Sequence, residues 1–165
     1  MRERRLITPL VVDNYPVGFF DGAAQGNWGG CGFLLRIHES HSFKGWMGVE
    51  DCTNNFVELV TAWALIYWAR LLDIREIRIF GDSRVVIDWM NDNAAIHSIN
   101  LLHWCEKIQL LLGEFTFTNI RHIYRELNNE ADILSKKGLE GPSGNLLFEE
   151  WRGTNLIRGG NSKLF

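Results

Sequence analysis

No apolar run approaching 18 residues occurs in the sequence, so no segment of it is long enough to span a membrane. The cationic start, Met1-Arg2-Glu3-Arg4-Arg5-Leu6, is not followed by the apolar core of a signal peptide. Cysteine is scarce: Cys31, Cys52 and Cys105 are too few and too scattered for a disulfide framework or a zinc site. Reduced thiols inside a cell, in nucleus or cytoplasm, are therefore expected. Glycines crowd residues 22–32, but neither the GxGxxG nor the GxxxxGKS/T spacing of a phosphate cradle is present. A serine or cysteine nucleophile beside a histidine is also missing, which leaves acyl transfer without support. Positive charge is in deficit, with a formal net charge of −3, and this does not advertise a nucleic-acid binder. What is abundant is core material. With 46% hydrophobic residues, seven Trp and ten Phe, a chain of 165 residues can bury one full domain. There are no internal repeats, and the chain is expected to be a monomer.

Pro16-Val17-Gly18-Phe19-Phe20-Asp21 is a short apolar run that ends on aspartate and breaks into glycine, as a buried strand would. Two further strands, 32–38 and 42–49, follow as an antiparallel meander. Thr53-Asn54-Asn55 offers capping residues for a helix reaching about Leu72. Leu59, Ala62, Trp63, Ile66 and Ala69 share one face of it, and Glu58 is expected in its first turn. Residues 75–81 alternate and close on Asp82-Ser83. Helices after Asp82 and over 97–112, a strand over 115–124 and a helix over 128–138 complete the pattern. The expected organisation is an arm over 1–15, one domain over 16–138 and a C-terminal tail over 139–165. The fold class is α/β: a mixed five-stranded sheet, antiparallel meander then parallel strands, with helices on both faces.

In such sheets ligands gather beyond the carboxyl ends of the parallel strands. Asp21 and Asp82 lie at those ends, and Glu58 and Asp132 can enter from helices. Each has an ordinary reading as well: turn or cap for the aspartates, helix-dipole partner for Glu58. Converging carboxylates repel and need cations to stay ionised. Oxygen-only donors select hard ions, Mg²⁺ or Mn²⁺, and a pair of these serves in-line attack on a phosphodiester.

Four segments carry a resemblance: Phe19-Phe20-Asp21-Gly22-Ala23, Thr53-Asn54-Asn55-Phe56-Val57-Glu58, Phe80-Gly81-Asp82-Ser83 and Arg125-Glu126-Leu127-Asn128-Asn129-Glu130-Ala131-Asp132. In order and spacing they resemble the signature segments of ribonuclease H type 1, with greatest likeness to the form carried by plant non-LTR retrotransposon reverse transcriptases. The resemblance implies an RNase H-like fold that cleaves the RNA strand of an RNA–DNA hybrid, leaving 5′-phosphate and 3′-hydroxyl ends. It implies two Mg²⁺ ions, with Mn²⁺ as a substitute. Asp21 would bridge both, Glu58 and Asp82 would hold the ion nearer the leaving oxygen, and Asp132 the ion that activates water. Gly22, Thr53, Asn54, Asn55, Ser83 and Arg84 would touch the hybrid, including the 2′-hydroxyl that marks RNA. His122 stands at the spacing of a loop histidine that aids product release in bacterial relatives. Its other reading is a strand-end histidine without a role.

One departure bears on partners. Residues 91–104 hold no Lys or Arg, where bacterial and eukaryotic relatives carry a basic handle. Phosphate contacts supply most non-specific affinity, so the domain alone is expected to bind hybrid weakly. A reverse transcriptase domain in the parent polypeptide would supply the missing affinity. Two rivals stay open: a binding or scaffold domain of the same fold that has lost turnover, and a DNA nuclease such as a junction resolvase.

Overall fold

Alternating apolar residues build the sheet at the centre of the computed structural model, which describes residues 14–165. Of the expected N-terminal arm, residues 1–13 lie outside the described residues. β1 (Val17–Gln25), β2 (Trp28–His38) and β3 (His41–Val49) form the antiparallel meander. α1 (Asn54–Leu71) leads to β4 (Glu76–Gly81), which pairs parallel with β1. α2 (Arg84–Met90) and α3 (Ile99–Leu112) lead to β5 (Phe117–His122), parallel to β4. A single turn over Arg125–Leu127 enters α4 (Asn129–Gly138). Among the described residues no helix is long and apolar enough to cross a membrane.

Two strands extend this plan. β6 (Asn145–Arg152) pairs antiparallel with β3, and β7 (Asn155–Lys163) with β6, so the sheet has seven strands in the order β5-β4-β1-β2-β3-β6-β7. All five expected strands are present, and the stretch read as a tail supplies the other two. Leu146 of β6 is fully buried, and Phe148 packs on Trp68 at 4.7 Å between ring centroids. β7 is exposed along nearly its whole length, which is why it carries no hydrophobic alternation to read. The first hairpin also differs: β1 and β2 run through the glycine cluster to a tight turn at Gly26-Asn27, with Gln25 opposite Trp28.

Each face of the sheet has its own core. Phe20, Phe33 and Leu35 point toward α1, α2 and α3, where Leu59, Leu65, Ile66 and Ile108 are fully buried. Val17, Phe19, Leu34 and Trp46 point the other way, under Ala131 and Leu134 of α4. α1 is capped by Thr53, whose Oγ1 accepts the Phe56 N–H at 3.3 Å. α4 lies directly on β2, because a Cβ on Gly30 or Gly32 would overlap the backbone of Ser135. Glycine at those two positions lets the backbones touch, and this contact sets the height at which α4 presents its side chains to the end of β1.

Candidate functional site

Register brings the first two carboxylates together. The last residues paired between the parallel strands β1 and β4 are Phe20 and Gly81. Asp21 and Asp82 are the next residue of each, so they stand side by side where β4 ends. Asp21 is not the end of its strand, since β1 continues along β2 to Gln25. Asp82 is not the cap of α2 either; that position belongs to Ser83.

Glu58 joins them from α1. It is the fifth residue of the helix, beyond the first turn, and only 7% exposed. The Gly22 N–H donates to its Oε1 at 3.1 Å, while Oε2 is buried without a partner. Asp21, Glu58 and Asp82 each present an oxygen within 4.8 Å of the others. Asp132 is half-buried on α4 and lies outside this group of three. Its charge adds to the repulsion on Asp21, and its Oδ2 is 3.0 Å from Lys136 Nζ.

Electrostatics follow from the crowding. Burial first, then the Asp82 charge, push the Asp21 carboxyl up from 3.8 to about 7. Burial and the neighbouring Asp21 likewise hold Glu58 well above the usual carboxylate range, against the Gly22 hydrogen bond. Removing water from these oxygens disfavours the charged form, and each neighbour adds repulsion. A raised pKa means that the native state binds a proton the unfolded chain has released. The stabilisation is fully present below about pH 4 and is lost as pH rises through about 7. In chelator, stability measured by denaturant melts should thus fall between pH 5 and pH 8, by about 2–3 kcal/mol for a shift of this size. A rise over that range would contradict the repulsive cluster.

The remaining expected residues flank the cluster. Thr53 and Asn54 are exposed and Asn55 half-buried at the start of α1, and Gly22 is half-buried beside Glu58. Ser83 is half-buried and Arg84 exposed after Asp82. His122 ends β5 rather than standing on a loop. Its Nε2 lies 3.2 Å from the Asp82 carbonyl oxygen and its Nδ1 3.3 Å from Arg84 Nη2. A carbonyl only accepts and a guanidinium only donates, so Nε2 carries the proton and Nδ1 accepts. Lys137 is also engaged, with Nζ 3.8 Å from the centre of the Trp46 ring.

Two site residues escape a reading of sequence alone. Asn128 is 1% exposed, and its Nδ2 donates to Asp82 Oδ2 and to the Phe20 carbonyl, both at 3.0 Å. Ser135 is fully buried; its Oγ lies 2.7 Å from the Asp132 carbonyl oxygen and 3.4 Å from Asp21 Oδ2, and its one proton can be donated to either. The available signal is spacing: Asn128 and Ser135 are four residues before and three after Asp132, which puts all three on one helical face.

A pocket with a buried, unpartnered carboxylate oxygen and two carboxyls held above their usual range lacks positive charge. The donors are all hard oxygens, so the residues fit Mg²⁺ or Mn²⁺. Chemically, such a site can gather cations beyond the carboxyl end of β4, where it lies beside β1 in the middle of the sheet.

Comparison with known proteins agrees with this fold. A family model described as reverse transcriptase-like matches residues 19–138. Curated protein sequences give no match. Among solved structures, the RNase H1 of the halophilic archaeon Halobacterium salinarum is similar, with a TM-score of 0.69 and 25% identity over 76% of this chain and 97% of that one. The N-terminal RNase H domain of a Mycobacterium tuberculosis protein, solved as a maltose-binding-protein fusion, gives a TM-score of 0.67 and 21% identity over 76% and 95%. LC11-RNase H1, solved in complex with an RNA/DNA hybrid, gives 0.68 and 19% over 76% and 97%. The latter two likenesses speak to fold alone.

Proposed function

This chain belongs to the reverse transcriptase-like family, and on that premise we propose that it is a metal-dependent ribonuclease H acting on the RNA strand of RNA–DNA hybrids. The observation that carries the reading is the meeting of Asp21, Glu58 and Asp82 within 4.8 Å, at the end of paired parallel strands. On this reading Asp21, Glu58, Asp82 and Asp132 hold two divalent cations, which supply positive charge at the phosphate and a water acidic enough to attack it. The chain's own groups do the rest. Asp21, which lies beside Glu58 and Asp82, would serve as a ligand to the ions, and the Gly22 N–H keeps Glu58 turned inward. Thr53, Asn54 and Asn55 meet the hybrid at the exposed start of α1, and Ser83 with Arg84 meets it beyond β4. Mg²⁺ is the working ion, and Mn²⁺ substitutes for it. Hybrid is the partner, as in the LC11-RNase H1 complex, and a polymerase domain in the parent polypeptide, of retrotransposon kind, adds affinity by holding the hybrid near.

A second reading keeps the fold without turnover. It is favoured by Lys136, whose Nζ lies 3.0 Å from Asp132 Oδ2 and occupies the fourth carboxylate. One assay separates the two. An end-labelled RNA–DNA hybrid, incubated with the chain, should be cut in Mg²⁺ and in Mn²⁺ and left whole in chelator, with 5′-phosphate and 3′-hydroxyl ends. An intact hybrid under all three conditions establishes the second reading.

A further inference from the structure

Asn128 occupies the cap position of α4 without doing a cap's work. Its side chain makes no hydrogen bond to the helix's free N–H groups, although such a bond typically contributes about 1 kcal/mol. It turns inward instead and spans two elements, donating through Nδ2 to the Phe20 carbonyl and to Asp82 Oδ2. Both partners are acceptors, so only the amide nitrogen can face them. The amide oxygen is left buried with no partner. An orphaned acceptor of that kind costs roughly 1–3 kcal/mol. The side chain is therefore placed by its two donated bonds, at the expense of its own acceptor.

Three parts of the cluster meet at this residue. Phe20 is the residue immediately before Asp21 in β1. Asp82 receives the second donated bond. The Asn128 backbone carbonyl accepts the Asp132 N–H at 3.0 Å, the first bond of the helix that presents the fourth carboxylate. An amide donor orients Asp82 without bringing a positive charge that would compete with a cation, whereas Lys136 sets a positive charge 3.0 Å from Asp132. We propose that Asn128 is a positioning residue that locks the helix-borne Asp132 to the strand-borne Asp21 and Asp82, so that the four carboxylates act as one cation site. This rests on the metal-dependent reading above.

The test is a thermodynamic cycle on cation binding with no substrate present. Mg²⁺ affinity is measured by titration calorimetry, and bound Mn²⁺ is counted by electron paramagnetic resonance. The set comprises the unmodified chain, Asn128→Ala, Asn128→Leu, Asp132→Asn and each double variant. Asn128→Leu keeps the volume while deleting both donors, and circular dichroism reports folding throughout. Losing a residue that orients a ligand is expected to weaken Mg²⁺ about 10- to 100-fold. With Asp132 no longer locked in place, Asp132→Asn should then weaken binding far less in the Asn128 variants than in the unmodified chain. Folded variants with unchanged affinity, or fold-changes that simply multiply, overturn the inference and leave the proposed function standing. Loss of folding in both Asn128 variants also overturns it, since the residue would then be structural. An unmodified chain that takes up no Mg²⁺ overturns the proposed function, and this inference with it.

Discussion

Asp21→Asn should abolish hybrid cleavage while leaving the chain folded and, without cations, more stable than before. Asn has the shape of Asp but not its charge. Asp21 is 6% exposed and is the carboxyl that Glu58, Asp82 and Asp132 all perturb. Removing its charge takes the shared ligand from the site and raises the barrier by at least about 4 kcal/mol, on the order of a thousandfold in rate. The same change removes a charge that burial first, and then repulsion by Asp82, disfavour enough to push Asp21 to about 7, so the melting temperature in chelator should rise. Opposite movement of rate and stability separates a catalytic loss from damage to the fold. Single-turnover cleavage of a labelled hybrid in Mg²⁺, run beside thermal melts, measures both. A variant that cut at even a tenth of the original rate would sink the proposed mechanism.

The second large effect lies away from the charges. Gly32→Ala should destabilise the chain by about 3 kcal/mol or more, beyond the usual range for overpacking. Its new Cβ would meet the backbone of Leu134 and Ser135, which cannot rotate aside as a side chain could. α4 would have to lift, taking Asn128, Asp132 and Ser135 away from β1. Gly153→Ala is the matched control. Gly153 has a φ of +58° with nothing within 4 Å of the added carbon. The substitution there meets only the left-handed backbone penalty of roughly 1–2 kcal/mol. Urea melts of the two variants should separate accordingly. Equal losses would mean that the helix does not rest on β2 as closely as described.

Much of this site can be read from the chain before folding. Two strands that each close on aspartate place Asp21 and Asp82 together once those strands are parallel neighbours, and helix crossovers make them so. Glu58 is legible as a charge on a helix otherwise given over to packing, and Asp132 as an aspartate in a helix interior, where it is a poor former. What stays hidden depends on contacts between distant residues. Asn128 reads from the sequence only as the start of a helix, and the fold alone reveals Phe20 and Asp82 within its reach. β1 reads as ending at Asp21 because the glycines after it resemble a loop. In the fold those glycines admit α1 and α4 against the sheet. β7 is exposed on both faces, so burial imposes no pattern on it.

The strand order has a consequence for how the molecule opens. β7 pairs with β6 alone and packs little, so its local stability should be low. Fraying there need not reach the carboxylates, because β2, β3 and β6 lie between β7 and β1. At about 4.8 Å per strand, that puts β7 roughly 19 Å from Asp21 across the sheet. Two zones of different cooperativity are therefore expected: an edge strand, β7, that frays on its own, and the six strands inside it, which open with the core.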